Sequence, residues 1–414
     1  MLQQPELLAP AGSLETLKYA VMYGADAVYC ALPEFGMRAA PVNLTVGELH
    51  EGCIFAHARG KKVYLTLNTL PTNEELSKLP RYIQDAAEAG VDAFIIADLG
   101  VLALAKKYAP QVERHVSTQA GITNYEAAKV CYELGAKRVV LARELPLTEI
   151  AQIRDNCPQD LELEAFVHGA MCMAVSGRCL ISAALTGRSG NKGHCTQPCR
   201  WSYALVEEQR PGEFFPVEED VRGTYVMNAQ DLNMLAHLDD LAAAGIDSFK
   251  IEGRNKKAFY VASVVRAYRL ALDGVPSSEL ADELLAVSHR PYGTGFYYGD
   301  ARQSPDVDGY TAECRHAATV EACEPAGEGA FRVIARCYNR FCEGDELEAL
   351  SPGPHVPLVR VRNLAWLPAP DGDDAQPKRV PVAVANRSAE RYAFETGEEL
   401  APGDFLRMRI NVER

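Results

Sequence analysis

Four cysteines lie close together with the spacing C-x6-C-x15-C-x3-C: Cys172, Cys179, Cys195 and Cys199. The residues between them are small and turn-forming, among them Ser176, Gly177, Gly187, Ser189, Gly190, Asn191, Gly193 and Pro198. Such a segment has little from which to build an apolar core of its own. A metal or cluster held by four thiolates would supply the missing cross-link. Residues 165–206 contain no Asp or Glu, yet carry Arg178, Arg188, Lys192 and Arg200, with His168 and His194. Neighbouring cations favour thiolate over thiol, and here they would also offset a cluster's negative charge. Zinc is commonly held by four cysteines, but its usual knuckles are C-x2–4-C, and the wider gaps here fit less well. An iron–sulfur cluster accepts more varied spacing. The plain alternative is four incidental thiols. A Cys172 nucleophile activated by His168 is the other chemical option, but nothing distinguishes Cys172 from the three other cysteines. No GxSxG elbow marks a serine nucleophile.

The surrounding chain sets limits on that chemistry. It has 414 residues and a net charge of −14, with 48% apolar and 24% charged residues. This is an ordinary globular balance, and as a whole it is no polyanion-binding surface. Any nucleic acid must meet a local basic patch. The first residues, MLQQPELLAPAG, show neither a basic nor an apolar leader region. The most apolar stretch, 91–105, is interrupted by Asp92 and Asp98. The expectation is a cytoplasmic protein with no membrane span, whose twelve cysteines are reduced. The eight cysteines outside the quartet, such as Cys30, Cys53, Cys131 and Cys337, sit in strand or helix patterns and read as core thiols.

Short β-branched runs predict strands at 6–9, 27–31, 62–66, 93–97, 114–117, 138–141, 162–167 and 248–251. Amphipathic runs between them predict helices, for example at 14–23, 74–89, 125–134 and 232–244. Gly24, Gly60, Gly90, Gly135 and Gly245 stand where left-handed C-caps would end helices. Eight β–α units predict an α/β fold, a TIM-like (β/α)8 barrel occupying 1–300. The rival doubly wound sheet usually opens on a Gly-rich turn, and Ala9-Pro10-Ala11-Gly12 is not one. A Cys-rich insertion, 169–228, is too long for an ordinary loop. After about residue 300 the pattern becomes short alternating runs with Gly, Pro and Asp turns, predicting a small all-β, barrel-like domain at 305–414. A barrel places function at the C-terminal ends of its strands. Those ends carry Asn68, Asp98, Ser117-Thr118-Gln119, Arg143-Glu144, Glu164, His168 and 250–254, KIEGR. Each could instead cap a helix or brace the rim.

The run from Glu164 through Phe166, His168-Gly169-Ala170-Met171-Cys172 to Gly177-Arg178-Cys179-Leu180-Ile181-Ser182 resembles the signature of the collagenase-like peptidase family, peptidase family U-32. LAPAG at 8–12, GADAVY at 24–29, STQ at 117–119, CTQPCR at 195–200, KIEGR at 250–254 and YNRFCEGDELEALSP near the C-terminus resemble further family blocks. The family name implies a hydrolase, a protease. The branch most resembled implies a prephenate-dependent hydroxylase that converts the wobble uridine of tRNA to 5-hydroxyuridine. Relatives act on a ribosomal RNA cytidine or on ubiquinone. The resemblance implies an iron–sulfur cluster, of 4Fe–4S type, on Cys172, Cys179, Cys195 and Cys199, with Cys199 differing most between relatives. Prephenate carries two carboxylates, which suit Arg and Lys. Arg38, Arg143, Lys250 and Arg254 are available. Glu164 and His168 are the candidates for proton handling, with Arg143 and Lys250 beside them. Asn68 and Gln119 join Arg38 and Arg254 as substrate-binding candidates. The partners implied are tRNA and the small carboxylate, with an accessory protein left open. A peptidase, or an RNA-binding protein with a structural zinc module, is the alternative.

Overall fold

The computed structural model describes residues 4–36, 43–171, 181–188, 194–198, 204–205, 215–216, 230–299, 301, 310–327, 329–368 and 378–410. Arg38, Cys172, Cys179 and Cys199 lie outside the described residues. Two compact units divide the chain: Met1–Val261 with His289–Tyr310, and Ala262–Ser288 with Thr311–Arg414.

The first unit opens with β1 (Glu6–Pro10), α1 (Leu14–Met22), β2 (Ala27–Cys30), α2 (Val46–His57), β3 (Lys62–Leu67), α3 (Asn73–Leu76), α4 (Leu79–Glu88) and β4 (Ala93–Ile96). It continues with α5 (Leu99–Tyr108), β5 (Glu113–Val116), α6 (Tyr125–Glu133), β6 (Arg138–Val140), α7 (Leu147–Asn156) and β7 (Glu162–Ala170). After α8 (Ile181–Thr186) and a short antiparallel pair, β8 (Ala204–Leu205) with β9 (Phe215–Pro216), come β10 (Asp231–Asn233), α9 (Leu238–Ala243) and β11 (Ser248–Ile251). β1 to β7 pair in sequence order, all parallel, and β11 pairs in parallel with both β1 and β7. The eight strands therefore close into the expected barrel. Closure leaves no edge among them, so every inward side chain must be packed or paired. Gly24, Gly60, Gly90, Gly135 and Gly245 all have positive φ, from 68° to 110°, the left-handed conformation that turns each helix into the next strand.

Two helix expectations are corrected. The 74–89 run divides into α3 and α4, because Pro80 in the first turn of α4 has no N–H to continue the helix. The 232–244 run begins instead as β10, followed by a 3-10 turn and then the short α9. The competing partner is β7, which runs past the barrel. Its residues His168, Gly169 and Ala170 pair antiparallel with Asn233, Leu232 and Asp231. The Asn233 side chain then accepts the backbone N–H of Leu235 and turns the chain. β12 (Tyr292–Gly293) adds to β10 in parallel.

The second unit begins within α10 (Ala258–Leu272) and includes α11 (Ser277–Leu285). Its strands, β13 to β22, form an antiparallel eight-stranded sheet in the order β17-β16-β22-β13-β14-β21-β18-β19, with β15 and β20 paired separately. These strands span Cys314–Gly327, Ala330–Cys337, Phe341–Cys342, Glu346–Leu350, Leu358–Arg360, Arg362–Leu367, Val380–Pro381, Val384–Ala385, Arg391–Thr396 and Phe405–Arg409. Val333, Leu347, Val359, Tyr392, Phe394 and Leu406 form its core. Buried Arg407 ties the sheet to α11, bonding both carboxylate oxygens of Glu283 at 2.7 and 2.8 Å and Glu348 at 2.7 Å. Among the described residues no helix is long and apolar enough to cross a membrane.

Candidate active site

The barrel interior is divided in character. Leu8, Ala27, Tyr29, Tyr64, Ala93 and Ile95 form an apolar cluster on β1 to β4. The strands β5, β6, β7 and β11, joined by Glu6 at the start of β1, bring charges. Arg138 on β6 lies 2.6 Å from Glu6, 3.0 Å from Glu164 and 2.7 Å from Glu162. Lys250 on β11 holds the other oxygen of Glu164 at 2.6 Å. Ser248 donates to Glu6 and Glu164, and Tyr64 donates to Glu6 at 2.7 Å. A buried charge is tolerable only when paired and hydrogen-bonded, and here Glu6 and Glu164 each meet a cation and a hydroxyl. Burial pushes the Glu164 carboxyl up, but Lys250 and Arg138 more than offset this and hold it below the ordinary carboxylate range. Glu6 behaves alike, with burial opposed by Arg138 and Tyr64. Burial, reinforced by Arg138, drives the His115 imidazole well below its usual value, so it stays neutral beside Tyr64.

Above this network lies the mouth. The Lys250 ammonium sits 4.5 Å from the ring centre of Tyr29 and 5.6 Å from that of Phe166. The Arg143 guanidinium lies 4.7 Å from the same Phe166 ring and donates to the carbonyl of Ala170. Arg254 donates to Thr66 at the end of β3 at 2.7 Å. His168 is enclosed by Tyr260 and Tyr292, and His289 stacks on Tyr292. Burial pushes the His168 imidazole down to about 3, against a partly opposing pull from Asp231. It is neutral at physiological pH. Asp231 itself is held by Arg290 through Nε and Nη2, at 3.1 and 2.9 Å.

The loop carrying Arg254 is wedged between two glycines. A Cβ on Gly12 would come within 2.3 Å of the Arg254 carbonyl oxygen. One on Gly169, whose φ is +104°, would come within 2.5 Å of the Glu252 carbonyl oxygen. Backbone cannot yield as a flexible side chain can. Gly12→Ala is therefore expected to lower stability to urea by roughly 1–3 kcal/mol through overpacking. Gly47→Ala, in the first turn of α2 with nothing within 4 Å, is expected to raise it by about 0.5–1 kcal/mol. Equal effects of the two substitutions would show that the loop is not clamped.

The model of peptidase family U32 matches residues 12–306. The chain belongs to this family. Among its U32 relatives, tRNA hydroxylation protein P1 of Bacillus subtilis is 35% identical over 415 residues, covering 98% of this chain and 95% of that protein. The tRNA hydroxylation protein P of Escherichia coli is 36% identical over 401 residues, covering 85% and 87%. A collagenase of Porphyromonas gingivalis is 34% identical over 312 residues, covering 71% and 73%.

This U32 barrel brings some of the expected residues together and separates others. Glu164 and Lys250 touch, and Lys250 and Arg143 converge on Phe166. Arg254 joins the rim through Thr66. Gln119 lies in a 3-10 turn after β5, and its Oε1 is buried with no hydrogen-bond partner among the described residues. Asn68 is half-buried just past β3. Asp98 caps α5 and Thr118 bonds the Leu141 carbonyl, so both do structural work. Of the four cysteines only Cys195 is described. Its thiol is exposed, and its sulfur accepts the backbone N–H of Gln197 at 3.4 Å. An accessible sulfur taking an amide hydrogen bond suits an iron–sulfur ligand. Among the described residues no three His, Cys, Asp or Glu side chains gather as metal ligands. Sequence reasoning missed Glu6, Tyr64, His115 and Arg138. Only Tyr64 carried a signal, the alternation of polar and apolar residues along β3, KVYLTL; Glu6 and Arg138 are single charges at strand starts, and β5, ERHV, does not alternate.

Proposed function

We propose that this U32 chain hydroxylates RNA, converting the wobble uridine of tRNA to 5-hydroxyuridine with prephenate as oxygen donor. The observation that carries this reading is the end-to-end match to a Bacillus subtilis protein named for tRNA hydroxylation. The site's chemistry is compatible. Lys250 and Arg143 approach one ring from 5.6 and 4.7 Å, offering two cations at one place as a dicarboxylate requires. Arg254 and Arg38 extend this binding set. Gln119 and Asn68 present amides to the base, which must leave its stack to enter a concave pocket. Glu164, ionised and buried, holds Lys250 in place through their 2.6 Å contact. His168, neutral, serves as a hydrogen-bonding group. Cys172, Cys179, Cys195 and Cys199 would hold an iron–sulfur cluster, which would supply electron transfer when bound.

Nucleoside mass spectrometry of tRNA incubated with the anaerobically purified protein and prephenate tests the reading. The expected result is 5-hydroxyuridine that requires prephenate. Unmodified tRNA, with gelatin cleaved in the same preparation, would replace it by the peptidase reading. The purified protein is expected to absorb broadly in the visible. A colourless protein holding one zinc per chain would remove the cluster.

A further inference from the structure

Beside the Phe166 site lies an aromatic and basic shelf that the proposed chemistry does not use. In the loop between β11 and α10, Arg254 is followed by Asn255-Lys256-Lys257, two cations with no acidic residue between them. On a chain of net charge −14 this is a local basic patch. Lys256 lies between two tyrosine rings, 4.8 Å from the centre of Tyr260 and 4.6 Å from that of Tyr310. Arg290 approaches Tyr310 at 5.7 Å. Tyr260 in turn borders His168, which leads back to the mouth. Tyr260 and Arg290 are buried, but Tyr310 is 43% exposed. An exposed tyrosine ring with a lysine against it, next to the strand ends that carry His168, has the composition of a base-stacking platform. Aromatic rings accept any base face, and adjacent cations draw the phosphates.

We propose that Tyr310, with Lys256 beside its ring, stacks an unpaired base of single-stranded RNA and so seats the strand beside the barrel mouth. This rests on the RNA reading above and names a subsite for it. A proline-rich peptide could also lie on a tyrosine, but it offers no phosphates for the cations, so RNA is favoured.

The test uses the full chain and a fluorescein-labelled, uridine-containing single-stranded oligoribonucleotide, titrated by fluorescence anisotropy. Tyr310→Ala is expected to weaken binding roughly 5- to 150-fold, the range for losing one base–aromatic stack. Tyr310→Leu, which keeps apolar bulk, is expected to weaken binding too, while Tyr310→Phe retains it. Scanning an abasic nucleotide along the strand should find one position at which the alanine penalty disappears. Lys256→Ala should reduce the slope of log affinity against log salt by about 0.7. Unchanged affinity in Tyr310→Ala, or a penalty that persists at every abasic position, overturns the platform. So does a Tyr310-dependent loss confined to a proline-rich peptide. Modification of tRNA is scored separately. If the wild type hydroxylates tRNA while Tyr310→Ala binds RNA normally, the platform fails and the function stands. If no variant hydroxylates tRNA yet RNA binding depends on Tyr310, the function fails and the platform stands.

Discussion

Arg138→Met is expected to destabilise the barrel by about 3–5 kcal/mol, because it strands buried carboxylates. Arg138 is 3% exposed and serves Glu6, Glu162 and Glu164 at once. Without it, Glu164 keeps Lys250 and the Ser248 hydroxyl, and Glu6 keeps only hydroxyl partners within the network. Hydrogen–deuterium exchange of peptides covering β6 and β7 reads the loss locally, and urea unfolding followed by circular dichroism reads it overall. The pH dependence gives a second sign. In the wild type the Glu6 and Glu164 carboxyls are held below their ordinary values. Their contribution is therefore fully present above the unfolded carboxylate value of about 4.3 and is lost as pH falls through the lowered folded values. In Arg138→Met, burial prevails and raises these carboxyls, so the deficit should shrink as pH falls from neutrality towards about 5. A deficit independent of pH would mean that packing, not charge, is what Arg138 contributes. Arg138→Lys should recover only part of the stability, since an ammonium cannot fork between three carboxylates.

Lys250→Met is expected to lower hydroxylation by about 100- to 1,000-fold, the usual cost of removing one charged or hydrogen-bonding group from a reacting site. The methionine keeps an apolar stem between Tyr29 and Phe166 and removes the charge. Glu164 then loses one of its two cations, so stability falls as well. The double substitution Lys250→Met with Glu164→Gln separates the two effects. Taking away the stranded carboxylate should restore most of the stability while leaving turnover as low as in Lys250→Met. Nucleoside mass spectrometry and urea unfolding on the three variants decide it. If the double variant regains activity together with stability, Lys250 is a structural cation and not part of the substrate site.

The barrel was readable from the chain because its signals are local. Each strand is a short apolar run, and glycines such as Gly24 and Gly135 announce its start with a conformation few other residues adopt. Where local preference met a tertiary competitor, the pattern misled. Residues 232–244 have helical periodicity, yet the free edge of the β7 extension drew Asp231, Leu232 and Asn233 into a strand. The charged interior was not readable, because its pairs are distant in sequence: Arg138 bonds Glu6 132 residues away and Lys250 bonds Glu164 86 residues away. The same distance hid the convergence of Arg143 and Lys250 on Phe166. Glu164 and His168 were picked out for proton transfer from their residue types. Their surroundings leave one ionised between two cations and the other neutral.

The pairing of Ala170 with Asp231 means that the chain leaves the barrel for the cysteine segment and returns to the same spot. In topology the whole excursion is the connection of a hairpin. Closing a long connection costs little more than closing a short one, so such a segment can be lengthened, shortened or exchanged without disturbing the strands that frame it. On the cluster reading proposed above, loading can then follow the folding of the barrel. Replacing the excursion by a tight turn should leave a stable, colourless barrel.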